Sequence, residues 1–338
     1  VPTAAMKGGD FSFGGRGNPL FDPTTTRRLP DGTWTRDALP NSFVPASRFD
    51  PVARNLLALE PWVAPNQEGA VTSLGPRDNL LYNENARVFF HDFNLRIDHQ
   101  FGSSTRMFWA ATSNKNEGLQ RAPRGIALPV FDARDGFVQP EINTNWSLGF
   151  NHTLNPTTIV DTRFGFNRRN LSREVPGFNQ DWPSKLGIPN VNGAMVPAFG
   201  SGADNVAESL YGITPTGPRT RVSETLSWRI DVTKVLSNHS FKGGYELLFL
   251  RGNYSEIDTP SGRFFFDRMT AGLQPGGQPV PNTGNTFAGF LFGQYRTAQF
   301  QDNIASWLPR GNMHSFYFQD DWKISPTVTL NLGLRYML

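Results

Sequence analysis

Near its end the chain reads YFQDDWKISPTVTLNLGLRY, residues 317–336, and the second half of that stretch alternates strictly. Val328, Leu330, Leu332, Leu334 and Tyr336 fall on one side, and Thr329, Asn331, Gly333 and Arg335 on the other. Period two is the mark of a β-strand with two different faces. The same pattern predicts four hairpins. The first has Phe93, Leu95, Ile97, His99 and Phe101, a turn at GSST, then Met107, Trp109 and Ala111. The second has Trp146, Leu148, Phe150 and Leu154, a turn at NPTT, then Val160, Thr162, Phe164 and Phe166. The third has Leu226, Trp228, Ile230 and Val232, a turn near SNHS, then Phe241, Tyr245, Leu247 and Phe249. The fourth runs through Phe316 and Phe318, turns at SPT, and returns through the alternating stretch.

The opposite face of every arm is polar. It carries Arg96 and Asp98, Asp161 and Arg163, Arg229 and Asp231, Lys242 and Glu246, and Arg335. Charges at every other position exclude a dry core on that side. The four acid–base couples are expected to form ion-pair ladders along a wall. Each arm is about ten residues long, enough for a tilted strand to cross a bilayer. Connections within hairpins are a few residues. Those between hairpins, roughly 114–145, 169–225 and 251–315, are long and hold most of the Gly, Pro and Asn. Compact soluble domains seldom carry several such loops. A membrane barrel with tight turns at one rim and long loops at the other has this layout. Lipid contact is therefore expected at Leu95, Ile97, Trp109, Leu148, Phe164, Trp228, Leu332 and Leu334.

Composition agrees with a β-rich chain. Among 338 residues there are 28 Phe, 8 Trp, 33 Gly and 26 Pro. Mean hydropathy is −0.40, and no run of eighteen apolar residues exists. A transmembrane helix is excluded. With no Cys there is neither a disulfide framework nor a thiolate metal site. A net charge of +3 and the lack of a Lys/Arg block speak against a nucleic-acid partner. Residues 1–88 are irregular and turn-rich, and are expected to form one long extracellular loop. It contains a short helix near 50–60, which Asp50 caps and Pro61 stops. Residues 89–338 are the barrel segment.

Signs of catalysis are weak. The five His are scattered, with no HExxH pair, and no GxSxG elbow or phosphate loop occurs. Asp320 and Asp321 are neighbours that a strand points to opposite faces. Neither enzymatic chemistry nor a metal or other cofactor is expected. Phe178, Trp182, Tyr211 and the run Phe264, Phe265 and Phe266 are loop aromatics that either pack the loops or touch a ligand.

Several segments carry a family resemblance: VPTAAMKGGDFS (1–12), FVPASRFDPVARNLLALEPWVAPN (43–66), FNLRIDHQFGSSTRMFWAATSN (93–114), GNTFAGFLFG (284–293) and SFYFQDDWKISPTVTLNLGLRY (315–336). They resemble the Oar-like TonB-dependent receptors, and the resemblance spans nearly the whole chain. FQDDWK followed by TLNLGLRY is similar to TonB-dependent barrels at large, while PASRFDPVA is more particular to the Oar-like group. The resemblance implies an all-β fold: a transmembrane antiparallel β-barrel with long extracellular loops, located in the cell outer membrane. The chain would be a fragment, roughly the first half of a barrel of about 22 strands. The implied partners are outer-membrane lipid, an unknown bulky solute, and TonB acting through a plug domain not present in this chain. Import would draw on energy coupled from the inner membrane. The other readings of the residues are a passive porin- or adhesin-like barrel and a soluble all-β carbohydrate-binding protein.

Overall fold

The computed structural model describes residues 1–81, 88–120, 137–175, 180–191, 193, 196–201, 217–257, 260–301 and 305–338. All four expected hairpins form. Their arms are β1 (Val88–Phe101), β2 (Thr105–Gln120), β3 (Phe137–Asn155), β4 (Thr158–Arg173), β5 (Arg219–Leu236), β6 (His239–Glu256), β7 (Arg310–Ser325) and β8 (Val328–Met337). Each strand pairs antiparallel with the next in chain order. A short strand, Ala305–Trp307, adds to the end of β6 and completes a nine-stranded sheet. The sheet is an open path from β1 to β8. Local chemistry closes the turns: Gly102 and Ser237 take positive φ at two of them, +61° and +54°.

The register settles the faces. Ile97, Trp109, Leu148, Phe164, Trp228 and Leu247 form one continuous cross-strand row. Leu332 and Leu334 lie on the same side, opposite Asp320 and Phe318. Phe164 stacks on Trp228 at 6.2 Å and Trp146 on Phe166 at 5.8 Å. Among the described residues no further layer of chain packs over this row, and Leu334 is 77% exposed and Phe318 57%. The strands before β8 are longer than the sequence pattern suggested, 14 to 19 residues. The ladder continues past the apolar rows because both neighbours of a strand continue with it. Many of the side chains turn polar there.

Residues 1–81 differ most from the expected loop. The helix is present at Pro51–Ala58, and the Asp50 carboxylate accepts from the Val52 N–H at 2.8 Å. Around it is a packed core. Met6, Phe11, Leu20, Val44, Leu56 and Trp62 meet Trp182, Leu186 and Phe199 from the β4–β5 connection. Phe264, Phe266, Phe287, Phe290 and Leu291 join them from the β6–β7 connection. The helix Thr286–Leu291 is wholly buried, and Asn285 caps it by accepting from the N–H groups of Phe287 and Ala288. A small sheet of Ala198–Ser201, Arg263–Phe266 and Tyr295–Gln299 ties the two connections together. These segments form a cap at the rim of the sheet where the long connections lie.

Candidate functional site

Every charged residue expected on the wall does lie on one face of the sheet, opposite the apolar rows. Residues two apart on a strand share a face, and this brings Arg96 to Asp98 at 2.7 Å, Arg163 to Asp161 at 2.9 Å, and Arg229 to Asp231 at 2.7 Å. Arg106 reaches Asp98 across the first hairpin at 3.3 Å. The fourth expected couple does not form. Lys242 and Glu246 are four residues apart, about 13 Å along an extended strand. Glu246 takes Arg335 instead, at 2.7 Å across β7. Tyr317 donates its hydroxyl to Asp231, passing over Gly244, where a Cβ would lie 2.4 Å from the ring. Phe108 sits among these charges with the Arg96 guanidinium 4.5 Å from its ring centre and Gly149 beneath it.

Between β2 and β5 the wall is paved with small groups. Ala110, Ser147, Gly165 and Ser227 make one row, and Thr112, Asn145, Asn167 and Thr225 the next. They floor a depression of about 290 Å³. At the cap end, Arg173, Arg219 and Arg221 converge on Glu256 at 3.5, 3.6 and 2.6 Å, and Arg169 pairs with Glu141 at 2.7 Å. The sequence pattern did not single out this cluster, because it assigned these positions to loops. Their alternation does continue that of the strands, and this was the available signal. Three guanidiniums outweigh the burial of Glu256 and hold its carboxyl below the usual range at this rim.

The cap holds an aromatic cavity of about 240 Å³. Phe199, Phe264, Phe266, Phe290, Tyr295 and Phe300 line it, with the Asp50 carboxylate at its wall. Gly293 makes room for that carboxylate: a Cβ there would lie 2.6 Å from it. Of the loop aromatics singled out in the sequence, Phe264 and Phe266 meet at this cavity. Trp182 is buried in the adjoining core, with Lys185 4.6 Å from its ring centre. Phe265 points to the other side of its strand, under Arg263. Phe178 and Tyr211 lie outside the described residues.

The histidines serve local contacts. His152 bonds Thr105 at 2.6 Å and His314 bonds Tyr245 at 2.8 Å. Asp320 and Asp321 do part to opposite faces, and Asp320 holds His239 at 2.7 Å on the apolar side. Among the described residues no three His, Cys, Asp or Glu side chains gather in a group that could hold a metal ion.

The sequence profile of the outer membrane beta barrel domain family matches residues 1–338. The chain belongs to this family. An outer membrane beta barrel domain works in lipid, which accounts for the uncovered apolar rows and sets aside the soluble carbohydrate-binding alternative. The protein is located in the outer membrane. No curated protein matches the sequence. Two of the solved structures to which the chain is similar are as follows. One is the outer membrane transporter YddB from Escherichia coli, with a TM-score of 0.42 and 9% identity over 75% of this chain and 27% of that one. The other is FpvA of P. aeruginosa in complex with a heterologous pyoverdine and iron, with a TM-score of 0.43 and 11% identity over 75% of this chain and 30% of that one. The chain thus spans less than a third of the length of either.

Proposed function

We propose that this chain forms wall and outer roof of a TonB-dependent transporter, which imports a bulky solute with energy coupled from the inner membrane. The observation that carries this reading is the one-sided build. Tight turns of two or three residues close one rim, and an ordered cap with its own core and an aromatic cavity occupies the other. A passive pore works best with an open mouth, whereas a receptor needs shaped chain where solute arrives. The Oar-like resemblance of residues 43–66 and 284–293 supports the same reading, since those segments build the cap. In it the charged wall faces a lumen and a plug. TonB engages from the tight-turn side, and the protein makes and breaks no covalent bond.

The test uses the intact protein in liposomes. A plugged transporter gives no osmotic swelling with small sugars and binds the isolated periplasmic domain of TonB. Swelling without TonB binding would favour the passive barrel. Sidedness is read in intact cells, using the chain's lack of Cys. A cysteine at Gly276, where a Cβ meets nothing within 4 Å, is expected to react with an impermeant maleimide. One at Ser104 is expected to react only after the outer membrane is breached.

A further inference from the structure

Across β4, β5 and β6 the apolar rows of the lipid-facing side are interrupted toward the cap, whereas β1 still carries Phe93 and Phe89 there. The row containing Phe166, Leu226 and Phe249 is followed, two residues on, by Arg168, Glu224 and Arg251 in register. Arg310 on β7 extends that row, directly opposite Arg251. One row on the lipid side thus holds three guanidiniums and one carboxylate. Glu224 engages Arg168 at 3.3 Å. Arg310 donates to the carbonyl oxygen of Pro309 at 2.8 Å and to Asn253 Oδ1 at 2.7 Å, both neutral, and also to the Gly252 carbonyl. Arg251 is exposed and makes no side-chain hydrogen bond or ion pair among the described residues.

Two like charges directly opposite on neighbouring strands repel, unless an anion bridges them. The row begins about 7 Å along the strand beyond Phe166 and Phe249. That step leads from the hydrocarbon into the headgroup layer. Arginine is costly at the midplane and nearly free at the interface. A plain solvated charge row would have no need to face lipid, or to put Arg251 against Arg310 with no acid between them.

We propose that Arg168, Arg251 and Arg310 form a binding site for the phosphate of a membrane-lipid headgroup. If the cap rim faces outward, as the proposed function has it, the ligand is a phosphorylated glycolipid of the outer leaflet. The phosphate bridges the Arg251–Arg310 pair, and acyl chains run down the Phe166, Leu226 and Phe249 surface.

The experiment extracts the intact protein from outer membranes in mild detergent and counts bound lipids by native mass spectrometry. The wild type is expected to retain a phosphorylated glycolipid. Arg251→Gln with Arg310→Gln is expected to lower retention about five-fold per arginine removed. Arg96→Gln, on the opposite face, is expected to leave it unchanged. A heat-modifiable gel band confirms that each variant is folded. Equal retention by the wild type and the double variant would overturn the site. Titration with inorganic phosphate alone separates the sources, and saturable binding at micromolar phosphate would overturn the lipid assignment. Retention of a glycerophospholipid that depends on the arginines would uphold the phosphate site while contradicting the outward cap.

Discussion

The cap and the sheet are built from similar residues arranged inside out. In the cap, Phe290 is 1% exposed and Leu291 0%, and the buried carboxylate of Asp22 is paired with Arg48. Across the middle of the sheet, phenylalanines and leucines line one face and the charges line the other, while charges return to the apolar side toward the cap, at Arg168, Glu224, Arg251 and Arg310, and near the tight turns, at Asp320. Aromatic content alone therefore says little about where a segment sits. What differs is the partner of the apolar surface. The cap segments fold back on one another and bury theirs against protein. The strands are fixed by backbone pairing and leave theirs to lipid. The ordinary rule of an apolar interior holds in the cap because water surrounds it, and fails in the sheet because the solvent there is apolar.

The comparison breaks most readily in the cap. Replacing Phe290 by Ala leaves a cavity among Trp62, Phe199, Phe266 and Phe287, which ring it at 5.5 to 6.3 Å. The loss of cap stability is expected to be about 3–5 kcal/mol. Hydrogen exchange is expected to speed up in the helix Thr286–Leu291 while the sheet amides keep their protection. Equal loosening of both regions would mean that they do not have separate supports.

Next comes the lipid face. Leu332→Arg in the intact protein is expected to cost about 2–4 kcal/mol if the position lies near the midplane, whereas Asn331→Arg, on the wall and opposite Asp321, costs far less. Denaturant titration of the reconstituted barrel reads the difference, and equal costs would contradict the face assignment. A smaller effect is expected on the wall at Gly149, where a Cβ would fall 2.1 Å from the Phe108 ring. Gly149→Val is expected to displace Phe108 from beside Arg96 at about 1–3 kcal/mol, seen as a changed chemical shift of the Phe108 ring. Smallest is Arg335→Gln. Its pair with Glu246 is half exposed, and such pairs contribute within about 1 kcal/mol. A larger loss would mean that the wall charges hold the sheet together.

The hairpins and their faces were legible in the sequence because they are local. A two-residue period and a tight turn are complete within about twenty-five residues, so Trp228 and Arg229 declare their sides directly. The cap was not legible for the opposite reason. Asp50 donates its N–H to the Leu291 carbonyl at 2.7 Å, and Trp62 packs on Phe287 at 5.5 Å. More than two hundred residues separate the members of each pair, and no periodicity connects them. PASRFDPVA and GNTFAGFLFG could be recognised as family segments without any sign that they touch. The wall showed the same division. Couples two residues apart were correctly read, whereas the partner of Glu246 depended on the strand order and was missed.

The central claim is that one sheet face meets lipid and the other meets water. Nitroxide labels placed singly at each position of β8, from Val328 to Met337, in the intact protein in liposomes test it most directly. Oxygen, which concentrates in lipid, is expected to collide most with labels at 330, 332, 334 and 336. A water-soluble nickel chelate is expected to collide most at 329, 331, 333 and 335. Opposite phases with period two would establish the assignment. Accessibilities that rise and fall together, or phases reversed between the two probes, would contradict it.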